Sequence, residues 1–186
     1  MHIDIVQGDI TEQVVDVIVN AANPSLLGGG GVDGAIHAAA GPRLLAECRR
    51  LLATSHPDGL STGLAVATGA GNLKARWVIH TAGPNRHVGQ VNPKVLANCY
   101  INSLYAANHL EATSIAFPAI GAGACGWDPA QAADIAAHAI IGWFETYAHS
   151  TSIHKVTMVA LQPEVEAEFH RAFDTPLSDM RLVHGH

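Results

Sequence analysis

Basic side chains are scarce, and where they are missing says more than their number. Lys and Arg total 10 against 16 Asp and Glu, a formal charge of −6 with His neutral. No Lys or Arg lies between Met1 and Gly41. A general duplex-DNA binder needs a basic face to neutralise phosphates, so that class is disfavoured. A small phosphorylated ligand is not excluded. Cysteine is also sparse: Cys48, Cys99 and Cys125 are odd in number, far apart and without a CxxC pair. That excludes a disulfide framework and any obvious zinc site, and it fits a reducing compartment, so a cytoplasmic location is expected. Charged residues are only 14 % against 48 % hydrophobic. A disordered or coiled-coil chain would be far more charged, so a globular core is expected. No uninterrupted apolar run reaches the roughly 18 residues of a membrane span. The opening MHIDIVQGDI has no basic n-region and no long apolar stretch, so no signal peptide and no membrane association are expected.

The 186 residues suit one domain, read here as residues 1–175, followed by a short tail, 176–186. Short β-rich runs alternate with longer helical patterns. Strands are expected at Ile3–Gln7, Val15–Asn20, Leu64–Thr68, Trp77–Thr81, Ser114–Phe117 and Val156–Ala160. They are often apolar throughout and bounded by Gly, Pro or Asn, as strands buried on both faces are. Helices are expected at Gly34–Ala39, Pro42–Leu52, Pro93–His109, Pro129–His149 and Glu164–Phe173. Loops at Ser55–Thr62 and Gly83–Asn92 are too short to separate domains. Such alternation implies a layered α/β domain with helices on both sheet faces. Ligands in such folds sit beyond the carboxyl ends of the strands.

Two glycine loops follow strands there. The first runs from Asn20 through Asn23, the four glycines Gly28–Gly31 and Asp33 to His37. Glycines let the backbone approach a ligand closely, and amides at a helix start attract an anion. The chain has no GK[ST] element, so this is not a P-loop, and backbone N–H groups would have to hold any phosphate. The second loop is Pro118–Trp127, where Gly121, Gly123 and Gly126 satisfy GxGxxG. A dinucleotide fingerprint also asks for an acidic strand end about 20 positions on. Here that distance brings Glu145, within an expected helix, so the loop reads as a second phosphate cradle. The alternative is a tight strand–helix turn with Trp127 in the core. Asp9 either caps a short helix or accepts from the exocyclic amine of a base, and the sequence leaves both open. Asp33 has the same ambiguity between a helix N-cap and a chemical role.

Gly8-Asp9-Ile10-Thr11, Val15–Asn23 and Leu26–His37 form a long ordered block that resembles the macrodomain family, and within it the MacroD-type branch. The similarity continues through Ala39–Pro42, Glu47-Cys48, Thr62-Gly63, Val78–Thr81, Cys99-Tyr100, Asn102–Leu104 and Phe117-Pro118, and spans Ile3 to Phe173. The resemblance implies a three-layer α/β/α sandwich around a mixed sheet of about six strands, with a cleft for ADP-ribose. Asp9 would bind the adenine amine with help from the Ile10 amide, and Leu161 would lie against the adenine. Asn20 would belong to the binding residues. Gly30, Gly31 and Val32, with Ile120, Gly121, Ala122, Gly123, Ala124, Cys125 and Gly126, would wrap the diphosphate and distal ribose. Asn23 and Asp33 match the pair implicated in hydrolysis.

The implied reaction removes one ADP-ribose from an acidic side chain, or deacetylates O-acetyl-ADP-ribose, without a metal or other cofactor. Asp33 would orient a water or take its proton, and Asn23 would hold the distal-ribose hydroxyls. The partners implied are ADP-ribose and mono-ADP-ribosylated protein, with ADP-ribosylated nucleic acid as an alternative acceptor, and a monomer is expected. A reader module that binds without cleaving is the competing class. Two departures bear on that choice. The family commonly has Ser-Thr-Gly where this chain has Gly121-Ala122-Gly123, and Phe or Tyr where it has Cys125. Zinc-dependent members carry extra Cys and His around the first loop, where this chain has only His37.

Overall fold

The computed structural model describes residues 1–175. The expected tail, 176–186, lies outside the described residues. Six strands form one sheet: β1 (His2–Gln7), β2 (Val17–Ala21), β3 (Ala65–Gly69), β4 (Trp77–Thr81), β5 (Ser114–Pro118) and β6 (Lys155–Ala160). Their order is β1-β6-β5-β2-β4-β3. Every neighbouring pair is parallel except β3 with β4, so the sheet is mixed.

Five helices cover it: α1 (Gly31–Ala40), α2 (Pro42–Ala53), α3 (Pro93–His109), α4 (Pro129–Tyr147) and α5 (Pro163–Asp174). Strand alternation divides the core into two halves. Val17, Val19, Ile79, Ile115 and Phe117 face α3, α4 and α5, where Leu104, Ile140, Trp143 and Phe169 meet them. Ile18, Val78, Ala116 and Val159 face the other way, against Ile36 of α1 and Leu44 of α2. The result is the expected three-layer α/β/α sandwich. Among the described residues, no helix is long and apolar enough to cross a membrane.

Local chemistry sets the element ends. Asp128 caps α4 by accepting from the Gln131 amide, with Pro129 in the first turn. Three expectations need correction. Strand β2 starts at Val17, not Val15, because Val15 and Asp16 bond to loops instead. Val15 N donates to the Lys74 carbonyl, and the Asp16 carboxylate accepts from Thr113 N at 2.7 Å and Thr113 Oγ1 at 2.9 Å. Helix α1 starts at Gly31, not Gly34, with Gly30 as its N-cap. Strands β1 and β3 lie at the sheet edges and are only half-buried, unlike β2, β4, β5 and β6.

The five parallel strands β1, β6, β5, β2 and β4 all end at one edge of the sheet. Across that edge they deliver, in order, Asp9, Leu161, the Gly121–Gly126 loop, the Asn23–Gly30 loop and the segment after Thr81. Residues far apart in sequence thereby share one crevice.

Candidate functional site

At one end of the crevice, Asp9 caps a 3-10 turn, Ile10–Glu12. Its Oδ1 accepts from Thr11 N at 2.8 Å and Thr11 Oγ1 at 2.7 Å. The carboxylate remains exposed, so capping does not preclude a ligand contact. Gly8 N bonds to the Ala160 carbonyl at 2.9 Å, which sets Asp9 beside Leu161. Leu161 is 75 % exposed, an apolar side chain standing in solvent next to an acidic group. Ile10 is buried, leaving its main chain as its means of contact.

The middle of the crevice is backbone. The first intrahelical bond of α1 runs from Gly34 N to the Gly30 carbonyl, so the amides of Gly31, Val32 and Asp33 precede it. Among the described residues, no hydrogen bond is donated by the amides of Gly29, Gly30, Gly123, Ala124 or Cys125. Two sets of N–H groups are thus available to an anion, and the dipole of α1 adds to the first. Not every expected residue is free in this way. Ile120 is buried, and its amide donates to the Tyr100 hydroxyl at 3.1 Å. The Ala122 and Gly126 amides bond within their own turn, to Ala119 and Gly123.

The geometry at Gly121 accounts for one departure of the second loop. The residue sits at φ +86°, and a Cβ there would meet the Trp127 indole at 3.0 Å and Leu96 at 3.3 Å. A side chain there would be strained in conformation and tight against both neighbours. Trp127 is 2 % exposed and donates from Nε1 to the Pro84 carbonyl at 2.8 Å. It supports the loop from beneath and does not line the crevice. The Arg86 amide donates to the Cys125 carbonyl, and the His87 ring lies against Gly126. Burial raises the Cys125 thiol above its ordinary pKa, which works against a nucleophilic role. Glu145 lies in the last turn of α4, remote from the loop, as expected for a cradle without a dinucleotide fingerprint.

The side chains gather at the start of α1. Asp33 is not the N-cap but the third residue of the helix, 3 % exposed and turned inward. Its Oδ1 accepts from Asn20 Nδ2 at 2.8 Å and its Oδ2 from the Asn23 amide at 3.3 Å. The Asn23 side chain is exposed and donates to the Gly28 carbonyl at 3.1 Å. Gly29 passes so close that a Cβ would overlap Asn23 Nδ2. His37, one turn on, places Nε2 at 3.5 Å from Asp33 Oδ1. Asn20 is fully buried; its amide serves Asp33 and His80. Its place is therefore behind Asp33, not among residues that could touch a ligand.

One cluster carries no signal in the sequence. His37, Cys48 and His80 bring donor atoms within 4.8 Å of one another. The donor chemistry does not suit a metal. Both ring nitrogens of His80 are engaged, by Asn20 at 3.2 Å and Thr68 at 2.9 Å. Burial, with the charges of Asp33 and Glu47, raises the Cys48 thiol to about 11, so thiolate formation is costly. Binding would have to break the Thr68 bond, move the His80 ring proton off Nε2 and deprotonate the Cys48 thiol.

Residues 19–136 match the model of the Macro domain family. A macro domain-containing protein of Streptomyces griseus is 56 % identical over 137 residues, 74 % of this chain and 77 % of that protein. A Klebsiella pneumoniae protein named O-acetyl-ADP-ribose deacetylase is 46 % identical over 90 % of this chain and 94 % of its own length. Among solved structures, an Oceanobacillus iheyensis macrodomain with ADP superposes with a TM-score of 0.87 at 37 % identity, covering 94 % of this chain and 91 % of the other. A Trypanosoma brucei macrodomain in complex with ADP-ribose gives 0.82 at 35 %, covering 91 % and 68 %.

Proposed function

This chain belongs to the macro domain family, and we propose that it is an ADP-ribosyl hydrolase. The substrate is ADP-ribose joined through its distal ribose to an acidic side chain or to acetate. The observation that carries this reading is Asp33, a carboxylate held from both sides beside two loops of free amides. The adenine lies at Asp9 and Leu161. The diphosphate lies over the amides of α1 and the Gly121–Gly126 loop, which explains how a crevice without lysine on its first loop holds two phosphates.

A water between Asp33 and a phosphate oxygen attacks the ester at the distal ribose. Asp33 orients that water or takes its proton, the ester C–O bond breaks, and free ADP-ribose leaves with a carboxylate. The side chain of Asn23 turns from Gly28 to the ribose hydroxyls. Positioning and fixed amide dipoles supply most of the rate gain. The name of the Klebsiella relative, which aligns over nearly its whole length, supports the deacetylase form of this reaction. We place the activity in the cytoplasm, in a monomer, with mono-ADP-ribosylated protein as the macromolecular partner. The three cysteines are unpaired, in keeping with a reducing setting.

The reader module keeps one observation in its favour. Gly121, Ala122 and Cys125 leave the distal-ribose end of the crevice without hydroxyls or an aromatic wall. Incubation with a protein mono-ADP-ribosylated on glutamate, and separately with O-acetyl-ADP-ribose, tests the first reading. Release of ADP-ribose from either is the expected result. Tight ADP-ribose binding with no release from either would overturn the ester hydrolase and leave a reader or a hydrolase of another linkage. Modified nucleic-acid ends would then be the next acceptor to try.

A further inference from the structure

Behind Asp33 a line of hydrogen bonds crosses the buried face of three strands. It begins at the Gly69 carbonyl, which accepts from Thr68 Oγ1 at 3.0 Å. Thr68 Oγ1 lies 2.9 Å from His80 Nε2, His80 Nδ1 lies 3.2 Å from Asn20 Nδ2, and Asn20 Nδ2 lies 2.8 Å from Asp33 Oδ1. Thr68, Asn20, His80 and Asp33 are all buried, and Asn20 stands opposite His80 in the β2–β4 register.

The directions along this line are determined. The Asp33 carboxylate can only accept, so Asn20 turns its NH2 to it, and the same NH2 faces His80 Nδ1, which must therefore accept. His80 Nε2 must then carry the ring proton and donate to Thr68, whose own proton goes to the Gly69 carbonyl. A reversed Asn20 amide would put an oxygen against both Asp33 and the Nδ1 lone pair. The imidazole thus keeps the amide facing Asp33. The Asn20 Oδ1 atom has no partner, so its own bonding does not hold the amide this way.

We propose that His80, fixed by Thr68, is a positioning residue that orients the Asn20 amide and through it places the Asp33 carboxylate. This rests on the hydrolase reading for its consequence in catalysis, but not for its geometry. His80 lies beyond reach of a ligand, since it is fully enclosed. Around it stand His37, with ring centroids 6.3 Å apart, and the Cys48 thiol at 3.8 Å from Nε2. Burial first, and the nearby His37 second, push the His80 pKa down to about 3. A proton on Nδ1 would remove the acceptor, and burial keeps it off.

Two measurements test this. Imidazole nitrogen shifts of the 15N-labelled protein report the tautomer without any turnover. The expected result is a neutral ring with its proton on Nε2 from pH 8 to pH 5. A proton on Nδ1, or titration near pH 6.5, overturns the proposal. The second measurement compares ADP-ribose release by His80→Phe, His80→Asn and Thr68→Val. In folded His80→Phe, kcat should fall about 10- to 100-fold, the scale of an ångström-sized misplacement, with KM and ADP-ribose affinity within about threefold. His80→Asn restores an acceptor near the Nδ1 position and should recover part of the loss. A merely structural role would lower the melting temperature and leave kcat unchanged, which overturns the proposal. Should His80→Phe fail to fold, Thr68→Val carries the same comparison, with a smaller fall in kcat expected. A wild type that releases nothing refutes the hydrolase reading, and the ring tautomer alone then decides the positioning claim.

Discussion

The two glycine loops meet in one crevice but are built on different plans. The loop after β2 adds a side-chain device to its free amides. Asp33 is enclosed and braced by Asn20 and the Asn23 amide, with His80 and Thr68 behind it. The loop after β5 is a backbone device. Its useful groups are amides, and its shape is held from beneath by Trp127 and Tyr100. The contrast explains where this chain departs from its family pattern. Gly121, Ala122 and Cys125 change side chains in the loop whose work is done by main chain. In the block from Asn20 to His37, the side chains of Asn20, Asn23 and Asp33 each have a specific partner.

The comparison is open to attack at several points. The largest expected effect is at Asp33. Asp33→Ala should lower ADP-ribose release about 10²- to 10³-fold, the range seen when a group acting on the transition state is removed. Single-turnover kinetics measure it. Retained release would mean that the first loop only binds.

Next is the conformation of the second loop. Gly121→Ser forces a side chain into a φ of +86° and against Trp127. It should cost about 1–3 kcal/mol of stability and weaken ADP-ribose binding. Urea unfolding and calorimetric titration read the two effects. A variant as stable as the wild type would show that the loop is not conformationally strict.

A smaller effect is the pH dependence of stability. His80 has its pKa lowered from 6.5 to about 3. The unfolded chain takes up this proton near 6.5 while the folded chain does not until about 3. The contribution is complete above 6.5 and is lost progressively as pH falls towards 3. The melting temperature of His80→Asn should therefore fall less steeply over that window than that of the wild type. Equal slopes would mean that His80 titrates freely.

The smallest effects belong to side chains of the backbone-built loop. Cys125→Ala and Ala122→Ser should change ADP-ribose affinity by no more than about twofold, the usual scale for partly exposed side chains without a hydrogen-bond partner. A tenfold loss in either would remove the distinction between the loops.

Much of this was legible in the sequence because it depends on local signals. Alternating apolar strands, Asp128-Pro129 at a helix start and glycine runs at strand ends act within a few residues. Asp33 is legible as a chemical candidate, but that it is not an N-cap depends on the helix starting at Gly31. The support behind it was not legible. Asn20, Thr68 and His80 come together only through the β2–β4 and β4–β3 registers, and no spacing announces them. A histidine inside the apolar strand Trp77–Thr81 was the available signal, since a buried imidazole needs partners for both nitrogens. The preference for glycine at 121 is hidden for a similar reason. It depends on where Trp127 folds back, six residues later.

The most direct test measures binding and release in the same two proteins. Wild type and Asp33→Ala are each titrated with ADP-ribose and then given a glutamate-linked mono-ADP-ribosylated protein. The account expects affinities within a few-fold of each other and release by the wild type alone. Equal release by both proteins would contradict it, because the carboxylate that the fold encloses and braces would then have no part in the reaction.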